Sequence, residues 1–162
     1  MRSACELLED LMQIDHDAVR VYEQALEHVD DPELHGELER VAQEHRRHLT
    51  EMAALIRQLG GHPGEIRRDA TGVLLEGMTL LRSATGTLGA LRALRTDEKV
   101  LVDRYEKALD GAPDSMLALA SRHWHDECRH LALLDLHIAR LEAERDADVA
   151  AATRDEHPNV RM

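Results

Sequence analysis

Phenylalanine is absent from this chain of 162 residues, which holds one tryptophan and two tyrosines. So few rings leave no platform on which nucleic-acid bases could stack. Cysteine is nearly absent too. Cys5 and Cys128 form no C-x-x-C pair, which excludes a zinc knuckle, a rubredoxin centre or a thioredoxin-type motif. Two thiols without a secretory context fit a reducing cytoplasm. No apolar run approaches the roughly 18 residues needed to cross a bilayer. Near the N-terminus Glu6, Glu9, Asp10 and Asp15 interrupt the apolar residues, so no signal peptide is read. Basic charge is in deficit: the net charge is −12, against the basic patch a nucleic-acid partner requires. The same charge disfavours anionic lipid. No glycine loop for a nucleotide is present, because Gly86-Thr87-Leu88-Gly89 follows no strand.

What the chain has in quantity is leucine, alanine and charge, a composition that favours helix over strand. Five helices are predicted. The first covers about 3–29, with Ser3 as N-cap and Glu6 completing a capping box. The second starts at Asp31-Pro32 and stops at Leu59-Gly60-Gly61. A short helix over about 72–82 lies within a long crossover. The fourth follows the break at Thr85-Gly86-Thr87 and runs to about Asp110, and the fifth runs from about Asp114 to Arg145. Residues 1–145 are thus expected to form one domain, an all-α four-helix bundle of two antiparallel hairpins, and 146–162 a loose polar tail.

Each long helix carries a seam of residues spaced alternately by three and four. Near mid-length the apolar seams are interrupted by Asp15, then His45 and His48, then Glu98, then Glu127 and His130. An unpaired charge in a core is costly, so these six groups need something to neutralise them. Distance along the chain puts them at one level. Asp15 lies about sixteen residues before the first hairpin turn, and His45 and His48 lie about fourteen and seventeen after it. Glu98 lies about fourteen before the second turn, and Glu127 and His130 about fifteen and eighteen after it. An i, i+3 pair points both side chains one way, so each hairpin presents one carboxylate and one pair of groups.

The hairpins also repeat one another. Tyr22 follows Asp15 by seven residues, as Tyr105 follows Glu98. "YEQAL" at Tyr22 matches "YEKAL" at Tyr105, and "EHRRHL" at Glu44 matches "DECRHL" at Asp126. Three carboxylates and three imidazoles suit two divalent ions of borderline hardness, such as iron or manganese. A buried carboxylate–histidine network without metal is the alternative. His123 and His137 share the seam away from the central level, as core groups or supports for the ligands. His16, Glu44 and Asp126 flank it, supporting the ligands from behind or facing solvent. Glu23 and Glu106 are rotated outward to the surface, with a peripheral ligand role as the alternative for Glu106. His28, His35, His62, His125 and His157 are expected at the surface, and Met52 in the core. Tyr22 and Tyr105 either pack with a bonded hydroxyl, or hydrogen-bond a ligating carboxylate, or donate electrons during turnover.

At these residues the chain resembles the ferritin-like superfamily, in motif its rubrerythrin branch and in layout a group of small bacterial four-helix proteins. The shared pattern is a carboxylate with Tyr at plus seven on the first and third bundle helices and Glu-x-x-His on the second and fourth. Glu98, Tyr105 and Glu127-Cys128-Arg129-His130 match it, and Asp15 with Tyr22 matches with Asp for Glu. The resemblance implies a dinuclear iron oxidoreductase acting on ferrous iron, O₂ or peroxide. With no rubredoxin cysteines, an external electron donor would be needed. One departure stands out: His45-Arg46-Arg47-His48 occupies the second Glu-x-x-His, with the Glu displaced to Glu44. That leaves open two ions with fewer bridges, a single ion, a preference for zinc, or a non-catalytic metal-binding or stress-associated interaction bundle. A homodimer or other small homo-oligomer is the expected assembly.

Overall fold

The computed structural model describes residues 2–65, 79–81 and 85–155. Four long helices account for most of them: α1 (Ala4–Leu26), α2 (Pro32–Gln58), α3 (Gly86–Leu109) and α4 (Asp114–Asp155). There is no strand among the described residues. The bundle is ferritin-like, with α1 packed on α2, α3 on α4, and the two hairpins face to face through α1 and α3.

The helix ends follow local chemistry. Ser3 accepts from the Glu6 amide at 3.3 Å while Glu6 accepts from the Ser3 amide at 2.7 Å, closing the capping box. Asp31 accepts from the Leu34 amide at 2.8 Å, with Pro32 at the first helical position. α2 stops where Gly60 takes φ +81°. The Gly60 amide then reaches the Arg57 carbonyl and the Gly61 amide the Ile56 carbonyl, which satisfies two of the last free carbonyls.

Two boundaries differ from the sequence expectation. α1 ends at Leu26 rather than near Val29, and the residues after it turn through short-range bonds that keep Val29 buried. α4 does not stop at Arg145 but continues to Asp155. The stretch "DADVAAATRD" holds good helix formers and neither Gly nor Pro, so the helix outlasts its apolar stripe. Residues 156–162 lie outside the described residues, as does most of the expected crossover helix. Of that helix only Thr79, Leu80 and Leu81 are described, and they are helical, with Leu81 buried against the core.

The apolar core is split in two. One cluster gathers Val21, Tyr22, Ala25, Leu34, Leu38, Leu91, Leu94 and Leu134 around the turn between α1 and α2. The other gathers Leu8, Leu11, Ala18, Met52, Ile56, Leu101, Tyr105 and Met116 toward the opposite end. Between them lies a layer of fully buried polar groups: Asp15, His45, His48, Glu98, Glu127 and His130. Apolar side chains close that layer above and below, which excludes water and strengthens every electrostatic interaction within it.

Candidate metal centre

Each helix delivers its part of the layer by its seam. Asp15 comes from α1, Glu98 from α3, the pair His45 and His48 from α2, and the pair Glu127 and His130 from α4. All six are at most 2% exposed. The structure brings them into two overlapping groups, one of Asp15, His45, His48 and Glu127, the other of His45, Glu98, Glu127 and His130. His45 and Glu127 belong to both.

In the first group Asp15 Oδ1 lies 3.0 Å from both His45 Nδ1 and His48 Nδ1. Glu127 Oε1 lies 3.0 Å from His48 Nδ1 and 3.6 Å from His45 Nδ1. In the second group Glu98 Oε1 lies 3.2 Å from His45 Nε2 and 3.7 Å from His130 Nδ1, and Glu127 Oε2 lies 3.4 Å from His130 Nδ1.

The tyrosines cross between the halves. Tyr22 of α1 donates to Glu98 of α3 at 2.6 Å, and Tyr105 of α3 donates to Asp15 of α1 at 2.5 Å. Burial, with Glu98 beside Tyr22 and Asp15 beside Tyr105, pushes both phenol pKa values well above 10, so both hydroxyls remain donors. The groups flanking the seam cross in the same way. Glu44 of α2 meets His130 Nε2 of α4 at 2.6 Å, and Asp126 of α4 meets His48 Nε2 of α2 at 3.1 Å. Arg129 then reaches Glu44, and Arg47 reaches Asp126, each at 2.5 Å. The quasi-twofold repeat seen in the sequence is thus a repeat of contacts. Each outer carboxylate fixes which imidazole nitrogen faces inward. Replacing Glu44 or Asp126 with Ala is expected to weaken metal binding about 10–100-fold while leaving the helical content intact. Isothermal titration with zinc, beside circular dichroism, checks this.

The ionisation pattern follows from crowding. Burial acts to raise the Asp15 and Glu127 pKa values, but the facing histidines overcome it and both are lowered, Glu127 well below 4.5. Glu98 is raised by burial and by Glu127. Burial acts to lower the pKa of His45 and His48, but the carboxylates around them win. His45 is raised well above 6.5 and His48 to about 10. His130 is also raised, chiefly by Glu127 and Glu98 against the opposing effect of burial.

Two buried oxygens in this layer have no hydrogen bond, Glu98 Oε2 and Glu127 Oε1. The latter sits 3.0 Å from His48 Nδ1 without the geometry of a bond. A buried carboxylate oxygen without a donor calls for a positive partner. The donor set is mixed carboxylate and imidazole, which suits iron, manganese or zinc. Spacing agrees as well. Four ligands held about 2.0–2.1 Å from a tetrahedral ion are separated by about 3.3–3.4 Å, near the separations found in both groups. The residues present therefore fit metal ions.

Residues outside the six take varied places. His123 is buried, shares a hydrogen bond of 2.8 Å with Glu51, and stacks on His48 with ring centroids 3.9 Å apart. His137 is half-buried and meets Glu37 at 2.6 Å. Glu23 is exposed and accepts from Arg46 at 2.6 Å, and Glu106 is exposed. His62 and His125 are exposed, His28, His35 and His16 are partly so, and His157 lies outside the described residues. A cavity of about 330 Å³ is lined by Arg47, Glu51, Arg122, His123, His125 and Asp126. Three of these, Arg47, His123 and Asp126, touch His48.

Two buried acids escaped the sequence reading. Asp17 and Asp97 are 1% and 2% exposed. Asp97 is carried inward by the spacing Ala90, Ala93, Asp97, Leu101, a second stripe beside the α3 seam. Neither of its oxygens has a hydrogen bond, and burial together with Glu98 raises its pKa well above 3.8, which favours the neutral acid. Asp17 is carried by Ile14, Asp17, Val21 on α1 and accepts from Gln13 at 3.2 Å.

A family model described as a domain of unknown function, DUF2383, matches residues 3–111, which is more than half of the chain. The chain belongs to this family. The matched DUF2383 segment spans α1, α2 and α3 and stops short of α4, which supplies Glu127 and His130. No curated protein matches the chain. Among solved structures, the fold is similar to a ferritin-like, diiron-carboxylate protein from Bacillus anthracis str. Ames, with TM-score 0.63 and 20% identity over 83% of this chain and 94% of that one. It is also similar to a dodecameric thioferritin, a bacterioferritin-related protein, from Bacteroides fragilis, with TM-score 0.71 and 18% identity over 89% of each chain. At such identities the likeness establishes the fold. No described helix is long and apolar enough to cross a membrane.

Proposed function

We propose that this DUF2383 protein binds two metal ions, iron or failing that manganese or zinc, and oxidises ferrous iron with O₂ or peroxide. The observation carrying this reading is the pair of fully buried groups, each with two carboxylates and two imidazoles, that share Glu127 and His45. Asp15, His45, His48 and Glu127 would hold one ion, and His45, Glu98, Glu127 and His130 the other. Bound iron would supply the electrons for the oxidant. The chain's own groups then have definite tasks. Tyr22 and Tyr105 hold Glu98 and Asp15 in place by donated hydrogen bonds and lie close enough to pass an electron inward. Glu44 and Asp126 fix the tautomers of His130 and His48. The two apolar clusters keep bulk water out. Electrons for repeated turnover would come from an external donor. The diiron-carboxylate description of the Bacillus anthracis neighbour agrees with this reading.

Protein loaded anaerobically with ferrous iron is expected to oxidise it, or consume peroxide, faster than free ferrous ion does. Glu127→Ala is expected to fall to the rate of free ion. Iron-loaded wild type reacting no faster than free ion would defeat the catalytic reading.

A second reading has its own support. His45 holds the place of a carboxylate, which favours tight metal binding without turnover. Stoichiometric metal in a protein with no oxidase or peroxidase activity would select it. We further propose a cytoplasmic homodimer or other small homo-oligomer; the dodecamer of the Bacteroides fragilis neighbour shows that this fold can assemble.

A further inference from the structure

The exchange of carboxylate for imidazole at position 45 leaves its side chain in the middle of the layer, touching both halves. His45 Nδ1 faces Asp15 Oδ1 at 3.0 Å and Glu127 Oε1 at 3.6 Å, in the group completed by His48. Its other nitrogen, Nε2, faces Glu98 Oε1 at 3.2 Å, in the group completed by His130. The opposite helix does the same with one carboxylate: Glu127 Oε1 turns to His48 and Glu127 Oε2 to His130. Among the described residues no carbonyl or amide claims either nitrogen of His45, whose side chain is 0% exposed. His48 and His130 differ in this respect. Each uses Nε2 on an outer carboxylate, Asp126 or Glu44, and has only Nδ1 facing inward.

We propose that His45 bridges the two metal ions through both ring nitrogens, as an imidazolate. The inference rests on the dinuclear reading above and adds the identity and chemistry of the group between the ions. Two coordinate bonds form, from Nδ1 to one ion and from Nε2 to the other. The charged metal-free ring gives up both N–H protons to water, the second from the neutral imidazole, and no electron is transferred. A neutral imidazole does not release that proton near neutrality unaided. Two cations at its nitrogens supply the same assistance by which bound zinc brings the pKa of water down to about 7. The bridge also sets a distance. A ring whose nitrogens lie about 2.2 Å apart, with metal–nitrogen bonds of about 2.0–2.1 Å, separates the ions by about 6 Å. Two-metal sites in which one small group touches both ions keep them about 3.5–4 Å apart.

The test uses full-length protein loaded with zinc, which has no redox chemistry, and locates the ions by anomalous diffraction at the zinc edge. Two peaks about 6 Å apart, with the His45 ring between them, are expected. Nitrogen-15 spectra of the same sample should show both His45 ring nitrogens deprotonated and insensitive to pH between 6 and 9. The His45→Glu variant, which restores a carboxylate, should draw the peaks together to about 4 Å. Two peaks at about 4 Å in the wild type, with one nitrogen of His45 still protonated, would overturn the bridge and leave the dinuclear reading standing. A single peak per chain, with His45 retaining a ring proton, would overturn the bridge and reduce the site to one ion. No zinc at all would remove both the bridge and the reading it rests on. The wild-type measurement decides among these whether or not the variant folds.

Discussion

Glu127→Ala is expected to remove both metal ions rather than one. Glu127 is the only carboxylate common to the two groups, with Oε1 in one and Oε2 in the other. Removing Asp15 or Glu98 takes a ligand from one group alone, so those variants should keep at least one ion. Metal content by mass spectrometry separates the cases. The effect on stability should be large as well. An ion present at a hundredfold excess over its dissociation constant adds about 2.7 kcal/mol to the folded state. Two such sites correspond to a loss of melting temperature on the order of 10 °C in a chain of this size. The variant should also cease to respond to a chelator that lowers the wild-type melting temperature. A variant that still holds two ions would show that the shared carboxylate is not a ligand.

Metal-free protein is expected to lose stability as pH rises from about 6 to 10. His48 titrates at about 10 in the folded chain, against 6.5 for the free ring. A base whose folded pKa is raised contributes stability that is complete below the unfolded value and disappears as pH climbs through the folded one. His45 and His130 are raised as well, and they add to the same loss. Asp97 and Glu98, raised mainly by burial, act in that direction too, because the folded state prefers their protonated forms. At the acid end Asp15 and Glu127 act oppositely. Their depressed values contribute stability above the ordinary carboxylate range that is lost as pH falls through it. The metal-free optimum should therefore lie near pH 5–6. The alkaline loss should be on the order of 4 kcal/mol, since each tenfold gain in proton affinity on folding is worth about 1.36 kcal/mol. Urea melts at pH 6 and pH 9 measure it. Metal binding displaces these protons, so the loaded protein should show the reverse trend over the same range. A metal-free protein as stable at pH 9 as at pH 6 would mean that the imidazoles are neutral.

Much of the polar layer was legible because helix geometry is rigid. A rise of 1.5 Å per residue fixes height from the turn, and the seam fixes which way each side chain points. Asp15, His45, His48, Glu98, Glu127 and His130 could thus be assigned to one level from the sequence alone. What periodicity within one helix cannot give is which neighbour a residue crosses to. The repeated motifs place Glu44 and Asp126 at equivalent positions, yet their exchange of partners, Glu44 to His130 and Asp126 to His48, depends on how α2 and α4 face each other. The same holds for Tyr22 reaching Glu98 and Tyr105 reaching Asp15. Asp17 and Asp97 were missed because they lie on secondary stripes beside the seam. The end of α4 was missed because an apolar stripe reports packing, and helical propensity alone carries the chain from Arg145 to Asp155.

The pairing of His45 with Glu127 in the quasi-twofold repeat, an imidazole against an acid, makes the two hairpins electrically unlike. The hairpin of α1 and α2 brings one acid and two imidazoles to the layer, Asp15 with His45 and His48. The hairpin of α3 and α4 brings two acids and one imidazole, Glu98 and Glu127 with His130. A hairpin meeting a second copy of itself would bury two acids with four bases, or four acids with two bases. Only the unlike pair gives three of each. Near-repeats within one chain invite like halves to exchange between molecules, and the charge count at the centre selects against that error. Position 45 therefore tells one half of the molecule from the other.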